Sequence, residues 1–366
     1  MSPSGSVVIA DTDNNRVRLV AALTGAISTV AGTGAVGFSG DGGPATSASL
    51  GRPHHVAFAP GSGDMAVVEF ANHRVRLVSA ATGIITTLAG TGQPGFGGDG
   101  GPATAARLFS PIAAAYDAAG NLFISERDNH RVRRVAATGS RAAPGVITTA
   151  AGTGAPGFAG DGGAATSAAL NGPHGLALDP ATGDLLIADG GNNRLRRLAA
   201  ATGVLTTAAG NGAPVSAGDG GPATAASFAG PVGVAAGGPS SGGALFVAEF
   251  QAHRVRRVAV PARPSPSPSR TPSATPYCAP ALFRALPSTD LVGVLAGSAL
   301  TPGAAAPAAS EAACRQECCD AAACDGYAFD TGALRWLGAG ECYLYVNVTQ
   351  LIPSSGYASG VRESAL

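Results

Sequence analysis

Between residues 7 and 258, apolar and polar positions follow a pattern that returns at a fixed interval. A proline opens an apolar run: PHHVAFA from Pro53, PIAAAYD from Pro111, PHGLALD from Pro173 and PVGVAAG from Pro231. A turn follows at Gly63-Asp64, Gly120-Asn121, Gly183-Asp184 and Gly242-Gly243. A second apolar run then reads MAVVEF, LFISER, LLIADG or LFVAEF, and a third reads HRVRLV, HRVRRV, NRLRRL or HRVRRV. After a Thr-Gly turn, a fourth reads IITTLAG, VITTAAG or VLTTAAG. Short runs bounded by turn residues predict four β-strands per unit. Proline is tolerated at the first residue of a strand, where no ladder donor is needed. The first two strands are apolar nearly throughout, which predicts burial on both faces of each sheet.

The unit is joined to the next by a Gly/Asp-rich block: AGTGAVGFSGDGGPATSASL at Ala31–Leu50, with counterparts starting at Ala89, Ala151 and Ala209. These starts lie 58, 62 and 58 residues apart. Such a period marks a repeat architecture, and four-stranded repeats predict the blades of a β-propeller. Five units are visible; the first lacks strand one and the last lacks strand four. GTGAVG (Gly32–Gly37), GTGQPG (from Gly90) and GTGAPG (from Gly152) match G-x-G-x-x-G, but no helix can follow F-x-G-D-G-G-P, so a dinucleotide site is not expected. The block is expected instead to connect one blade to the next.

An acid closes strand two and an arginine opens strand three, five residues apart in all five units: Asp11/Arg16, Glu69/Arg74, Glu126/Arg131, Asp189/Arg194 and Glu249/Arg254. A tight hairpin predicts an ion pair between them, each ordering its own hairpin. Asp41, Asp99, Asp161 and Asp219 sit between glycines; each is expected to fix its own turn by accepting backbone N–H bonds. A lone acid per loop is too few oxygens for calcium. His73, His130 and His253 share a position with Asn15 and Asn193, which reads as a structural turn site.

ADTDNNRVRLV, EFANHRVRLV, ERDNHRVRRV and ADGGNNRLRRL resemble the NHL-repeat family of β-propellers over Val7–Val258. The resemblance implies that the Gly/Asp connectors and the acid–Arg hairpins share one face. That face is where a ligand is expected, at Asp41, Asp99, Asp161, Asp219, Arg74, Arg131 and Arg194. Related propeller lyases that cleave peptidyl-hydroxyglycine carry zinc-binding histidines in Pro-His contexts. Here the positions are His54, Ile112, His174 and Val232, so a zinc lyase would need a third ligand, from His55 or the missing first strand. No G-x-S-x-G elbow marks a nucleophile.

Composition narrows the function classes. All 23 basic residues are Arg, balanced by 23 acidic ones. Neutral balance and paired arginines argue against nucleic-acid binding. No cofactor is expected. The longest apolar segment, Leu291–Leu300, is too short to span a bilayer. No signal peptide is visible, and the chain opens inside a repeat, so the start is expected to be truncated.

All six cysteines lie in the last part of the chain, which reads as a disulfide framework in an oxidising compartment. A Pro/Ser-rich linker (261–276) separates them from the repeats (1–260) and predicts an extended spacer. Within 277–366, Ser310–Cys324 reads as a short helix, and CDGYAFD and ECYLYVNV as strands. This segment resembles the PAN/Apple fold, a small α+β disulfide-rich domain. The resemblance implies the pairs Cys314–Cys342, Cys318–Cys324 and Cys278–Cys319. Asn347 heads a glycosylation sequon. The expectation is a non-enzymatic, extracellular or cell-surface recognition protein, with a protein or glycan as its ligand.

Overall fold

The structure is a computed structural model and describes residues 5–138, 145–238 and 243–259. The linker, the cysteine-rich segment with its three expected disulfides, and Asn347 lie outside the described residues. Those described fall within one unit, Met1–Arg263.

Among the described residues five antiparallel sheets form in chain order. Blade I holds β1 (Val7–Asp11), β2 (Arg16–Val20) and β3 (Ile27–Ala31). Blade II holds β4 (Pro53–Phe58), β5 (Met65–Glu69), β6 (Arg74–Val78) and β7 (Ile85–Ala89). Blade III holds β8 (Pro111–Tyr116), β9 (Leu122–Glu126), β10 (Arg131–Val135) and β11 (Ile147–Ala151). The two-residue β12 (Gly163–Ala164) precedes blade IV: β13 (Pro173–Leu178), β14 (Leu185–Asp189), β15 (Arg194–Leu198) and β16 (Val204–Ala209). Blade V holds β17 (Pro231–Ala236), β18 (Leu245–Glu249) and β19 (Arg254–Val258). The strands expected from sequence form where expected, and among the described residues the first and last blades have three strands each.

The hydrophobic core lies between blades. One cluster joins Val68 and Val75 of blade II to Leu122, Ile124 and Ile147 of blade III. Equivalent clusters join blades I and II, III and IV, and IV and V. This accounts for the unbroken apolar runs: β5 and β14 are buried at every position. Each interface is wedged by the connector. In P-A-T-x-A-x-L the two alanines and the leucine are fully buried, as at Ala103, Ala106 and Leu108. Just before this wedge the connector crosses the outer edge of the next blade. Gly42 N–H donates to Ile85 O, and Ile85 N–H to Gly43 O (2.8 and 3.0 Å). This occupies strand-edge groups that would otherwise stand open.

The glycines permit that close packing. Gly98 has φ +85°, and a Cβ there would meet Ala106 Cα at 2.7 Å. The shared His/Asn position is left-handed in all five hairpins, with φ from 50° to 53°. Its side chain staples adjacent blades: Ser110 N–H donates to His73 Nδ1 (3.2 Å), Gly172 N–H to His130 Nδ1 (3.0 Å), and Arg52 and Gly230 N–H to the Oδ1 of Asn15 and Asn193 (both 3.1 Å). His Nδ1 and Asn Oδ1 are thus equivalent acceptors. His73→Asn is expected to leave stability within about 0.5 kcal/mol of wild type, because the acceptor and the left-handed preference are kept. His73→Ala is expected to cost about 1–3 kcal/mol. Urea unfolding of both variants checks this, and equal losses would remove the staple's role.

Candidate ligand-binding face

Glu69 and Arg74 stand opposite each other in the β5–β6 register, as do the acid and arginine of every unit. The expected ion pair nevertheless forms elsewhere. The acid bonds the arginine two residues further on: Arg76–Glu69, Arg133–Glu126 and Arg196–Asp189 at 3.3 Å, and Arg256–Glu249 at 3.5 Å. Both points lie on one face of the sheet, and the guanidinium reaches diagonally across it. These pairs are not exposed: Arg76, Arg133 and Arg196 are 0% accessible, as are their acid partners. In the open first blade, Arg18 and Asp11 stand 3.9 Å apart.

The same arginine takes the connector aspartate. Arg76 reaches Asp41 at 2.6 Å, Arg133 reaches Asp99 at 2.5 Å and Arg196 reaches Asp161 at 2.6 Å; Arg256 pairs with Asp219. The second oxygen accepts the hydroxyl of a strand-four threonine, Thr87, Thr149 or Thr207, at 2.6 Å. The aspartates therefore do not fix their own turns, as the sequence suggested. They tie each connector to the third and fourth strands of the blade that follows. Asp219 has no such threonine among the described residues, and its side chain is 76% exposed against 36% for Asp99.

Arg74, Arg131 and Arg194, expected to pair with the acids, instead donate to the carbonyls of Thr91, Thr153 and Asn211. They cover Phe38, Phe96 and Phe158 with the guanidinium carbon 3.8, 3.8 and 3.7 Å from the ring centroid. The buried arginines lie 4.8–4.9 Å from the same rings. Each phenylalanine thus carries two cation–π contacts while remaining partly open to solvent. Sequence reasoning passed over these rings, although G-F-x-G-D-G-G places one in three connectors. In the fourth, Ser216 stands where the ring would be and bonds Glu249 at 2.6 Å. It replaces the asparagine that does so elsewhere, as Asn192 does to Asp189 at 2.7 Å. That site in blade V is Ala252.

A second cluster sits at the inner rim of this face. Phe70 packs beside His54 (5.4 Å between centroids), with Arg127 and Arg52 at 5.0 and 6.0 Å from its ring. Arg52 pairs with Asp13 (3.1 Å), and Arg127 with Asp128 (2.8 Å). His174 Nδ1–H donates to Gly172 O at 2.7 Å. Burial, then the charges of Arg52, His174 and Arg127, hold His54 below the ordinary imidazole range. His55 points away into the interface of blades II and III, where Ala114 N–H donates to its Nδ1 (3.4 Å) and burial lowers it to about 4. Among the described residues no three His, Cys, Asp or Glu side chains gather at metal-binding distance. Among the described residues His54 and His174 have no third ligand beside them, where a catalytic zinc usually takes three. A separate cleft of 340 Å³ opens on the opposite face, lined by Pro60, Tyr116 and Ala137.

The NHL repeat profile matches residues 170–198, which fall in blade IV. Among the described residues the chain is mainly β, with five blades of a β-propeller and an NHL repeat. No curated protein matches it. It is similar to an auxiliary nutrient binding protein from Bacteroides ovatus ATCC 8483 (18% identity, TM-score 0.53, covering 71% of this chain and 57% of that one). A counterpart from Bacteroides thetaiotaomicron VPI-5482 gives 17% identity and TM-score 0.52, covering 69% and 56%. Virginiamycin B lyase from Staphylococcus aureus gives 17% and 0.42, covering 72% and 66%. The chain spans little more than half the length of the two nutrient binding proteins. At these identities the likeness concerns the fold alone.

Burial pushes the Glu126 carboxyl up to about 7, against the opposing pull of Arg133, Phe109 N–H and Asn129. Arg133→Met leaves that carboxylate buried without its cation and is expected to cost about 3–5 kcal/mol. The loss has a defined pH dependence. Without Arg133 the folded pKa rises further above its unfolded value. A raised carboxyl stabilises the fold below the unfolded pKa and loses that contribution as pH rises through the folded one. The deficit relative to wild type is therefore expected to be larger at pH 8 than at pH 5 in urea titrations. A deficit that shrinks as pH rises would contradict the assignment.

Proposed function

We propose that this chain is a non-enzymatic recognition scaffold, extracellular or at the cell surface. It binds a protein or glycan through the connector face of the propeller and through the PAN/Apple-like module expected at 277–366. The observation that carries this reading is the repeated Arg-over-Phe platform at Phe38, Phe96 and Phe158. Partly open aromatic rings with fixed cations beside them combine apolar area with directional donors, a mixture suited to recognition surfaces. The Asp and Arg residues beneath are engaged with one another and hold the platforms in place. The reading draws only the fold from the similar structures.

The test is a glycan array and an extracellular-protein array probed with the full chain and with a Phe38→Leu/Phe96→Leu/Phe158→Leu variant. Specific binding is expected from wild type and an approximately tenfold or greater loss in the variant, with melting little changed. Capture that is indifferent to all three rings would overturn the face assignment. Stoichiometric zinc in the purified protein, lost in His54→Ala/His174→Ala, would overturn the scaffold reading in favour of a lyase. A non-reducing peptide map is expected to show the cysteines paired; free thiols at four or more would overturn the extracellular placement.

A further inference from the structure

We propose that the inner-rim cluster around Phe70 is a binding site for a small carboxylate, with Arg52 as the group that receives it. This deepens the recognition reading by naming a ligand class for one part of that face.

Four consecutive blades contribute: Asp13 from blade I, Arg52, His54 and Phe70 from blade II, Arg127 from blade III and His174 from blade IV. Two guanidiniums lie within 6.0 Å of the one Phe70 ring centroid. Their fixings differ. Arg127 is held by its neighbour Asp128 through two nitrogens, at 2.8 and 3.1 Å, which orients it. Arg52 meets Asp13 through a single nitrogen at 3.1 Å. Asp13 is 88% exposed, and a pair so open to water is weak. A ligand carboxylate can take the Arg52 fork bidentately, and Asp13 returns to solvent without leaving a buried charge unpaired.

Arg52 is also held in a conformation that a side chain rarely adopts. Its φ is +49°, and the matching residues of blades IV and V are glycines, Gly172 and Gly230, at +55° and +62°. Blade III places Ser110 there, at +48°, and its hydroxyl bonds Asp128. The backbone at Arg52 does what the backbone does at Gly230: its N–H donates to the preceding blade, and its carbonyl accepts from the residue after the strand-two acid. Nothing in that role calls for a side chain. Strain kept where glycine would serve points to the guanidinium itself.

Calorimetry on the full chain with D-glucuronate, with D-glucose as its uncharged counterpart, tests the site. Glucuronate is expected to bind at millimolar or lower concentration and glucose not to bind. Arg52→Gly relieves the strain, so melting is expected to hold or rise while glucuronate affinity falls about tenfold or more, as for loss of a charge-assisted pair. Asp13→Asn removes the internal competitor and is expected to tighten binding. Equal binding of glucose, no binding of glucuronate, or unchanged affinity in Arg52→Gly would each overturn the proposal. Displacement of glucuronate by an equal concentration of inorganic phosphate would overturn the carboxylate assignment. Glucuronate binding with array capture indifferent to Phe38, Phe96 and Phe158 would sink the platform reading alone. The reverse outcome would sink this one alone.

Discussion

In each of blades II to V one arginine carries two obligations at once. Arg76, Arg133 and Arg196 are sealed from solvent, and each is held between the acid that ends strand two and the aspartate of the incoming connector. A buried cation tolerates no vacancy on either side, because an unpaired charge in the interior costs far more than a well-made pair returns. The hairpin and the connector are therefore not independent choices. Either both adopt this geometry, or the guanidinium is stranded. The apolar wedge of Ala, Ala and Leu follows from the same requirement, since the connector that delivers the aspartate must also fill the gap between blades.

That constraint explains the surface. Once the buried arginine has consumed both acids, the first arginine of R-V-R has no carboxylate left to meet. It turns outward to a carbonyl and onto a phenylalanine. The ring is thus held by one buried and one half-buried guanidinium. The same separation holds at the inner rim, where the charged pairs are open and lie outside the buried network. Rigid support and accessible chemistry occupy different layers of one loop system.

Much of this was legible in the sequence. The period, the strands with their proline starts and the three-stranded first and last sheets follow from residue pattern alone. So does the structural reading of His73 and Asn193. The partner of the acid was not legible. R-V-R offers two arginines on one face, and spacing alone favours the nearer. A signal was present all the same: Arg76 lies between Val75 and Leu77 in a strand packed on both sides, and a charge in such a strand demands partners. The second threonine of I-T-T or L-T-T was a further clue, being a hydroxyl at the same place in β7, β11 and β16. The inner rim was only partly visible, through His54 and His174. Its convergence joins turns of different blades, which no local pattern encodes.

The connector aspartate is synthesised with one blade but serves the next. The covalent repeat and the packed repeat are therefore offset by part of a unit. Consequently a duplicated or excised stretch of one whole period keeps an aspartate facing an arginine at every junction, wherever the cut falls. An array wired in this way can change its number of blades by recombination without reinventing an interface.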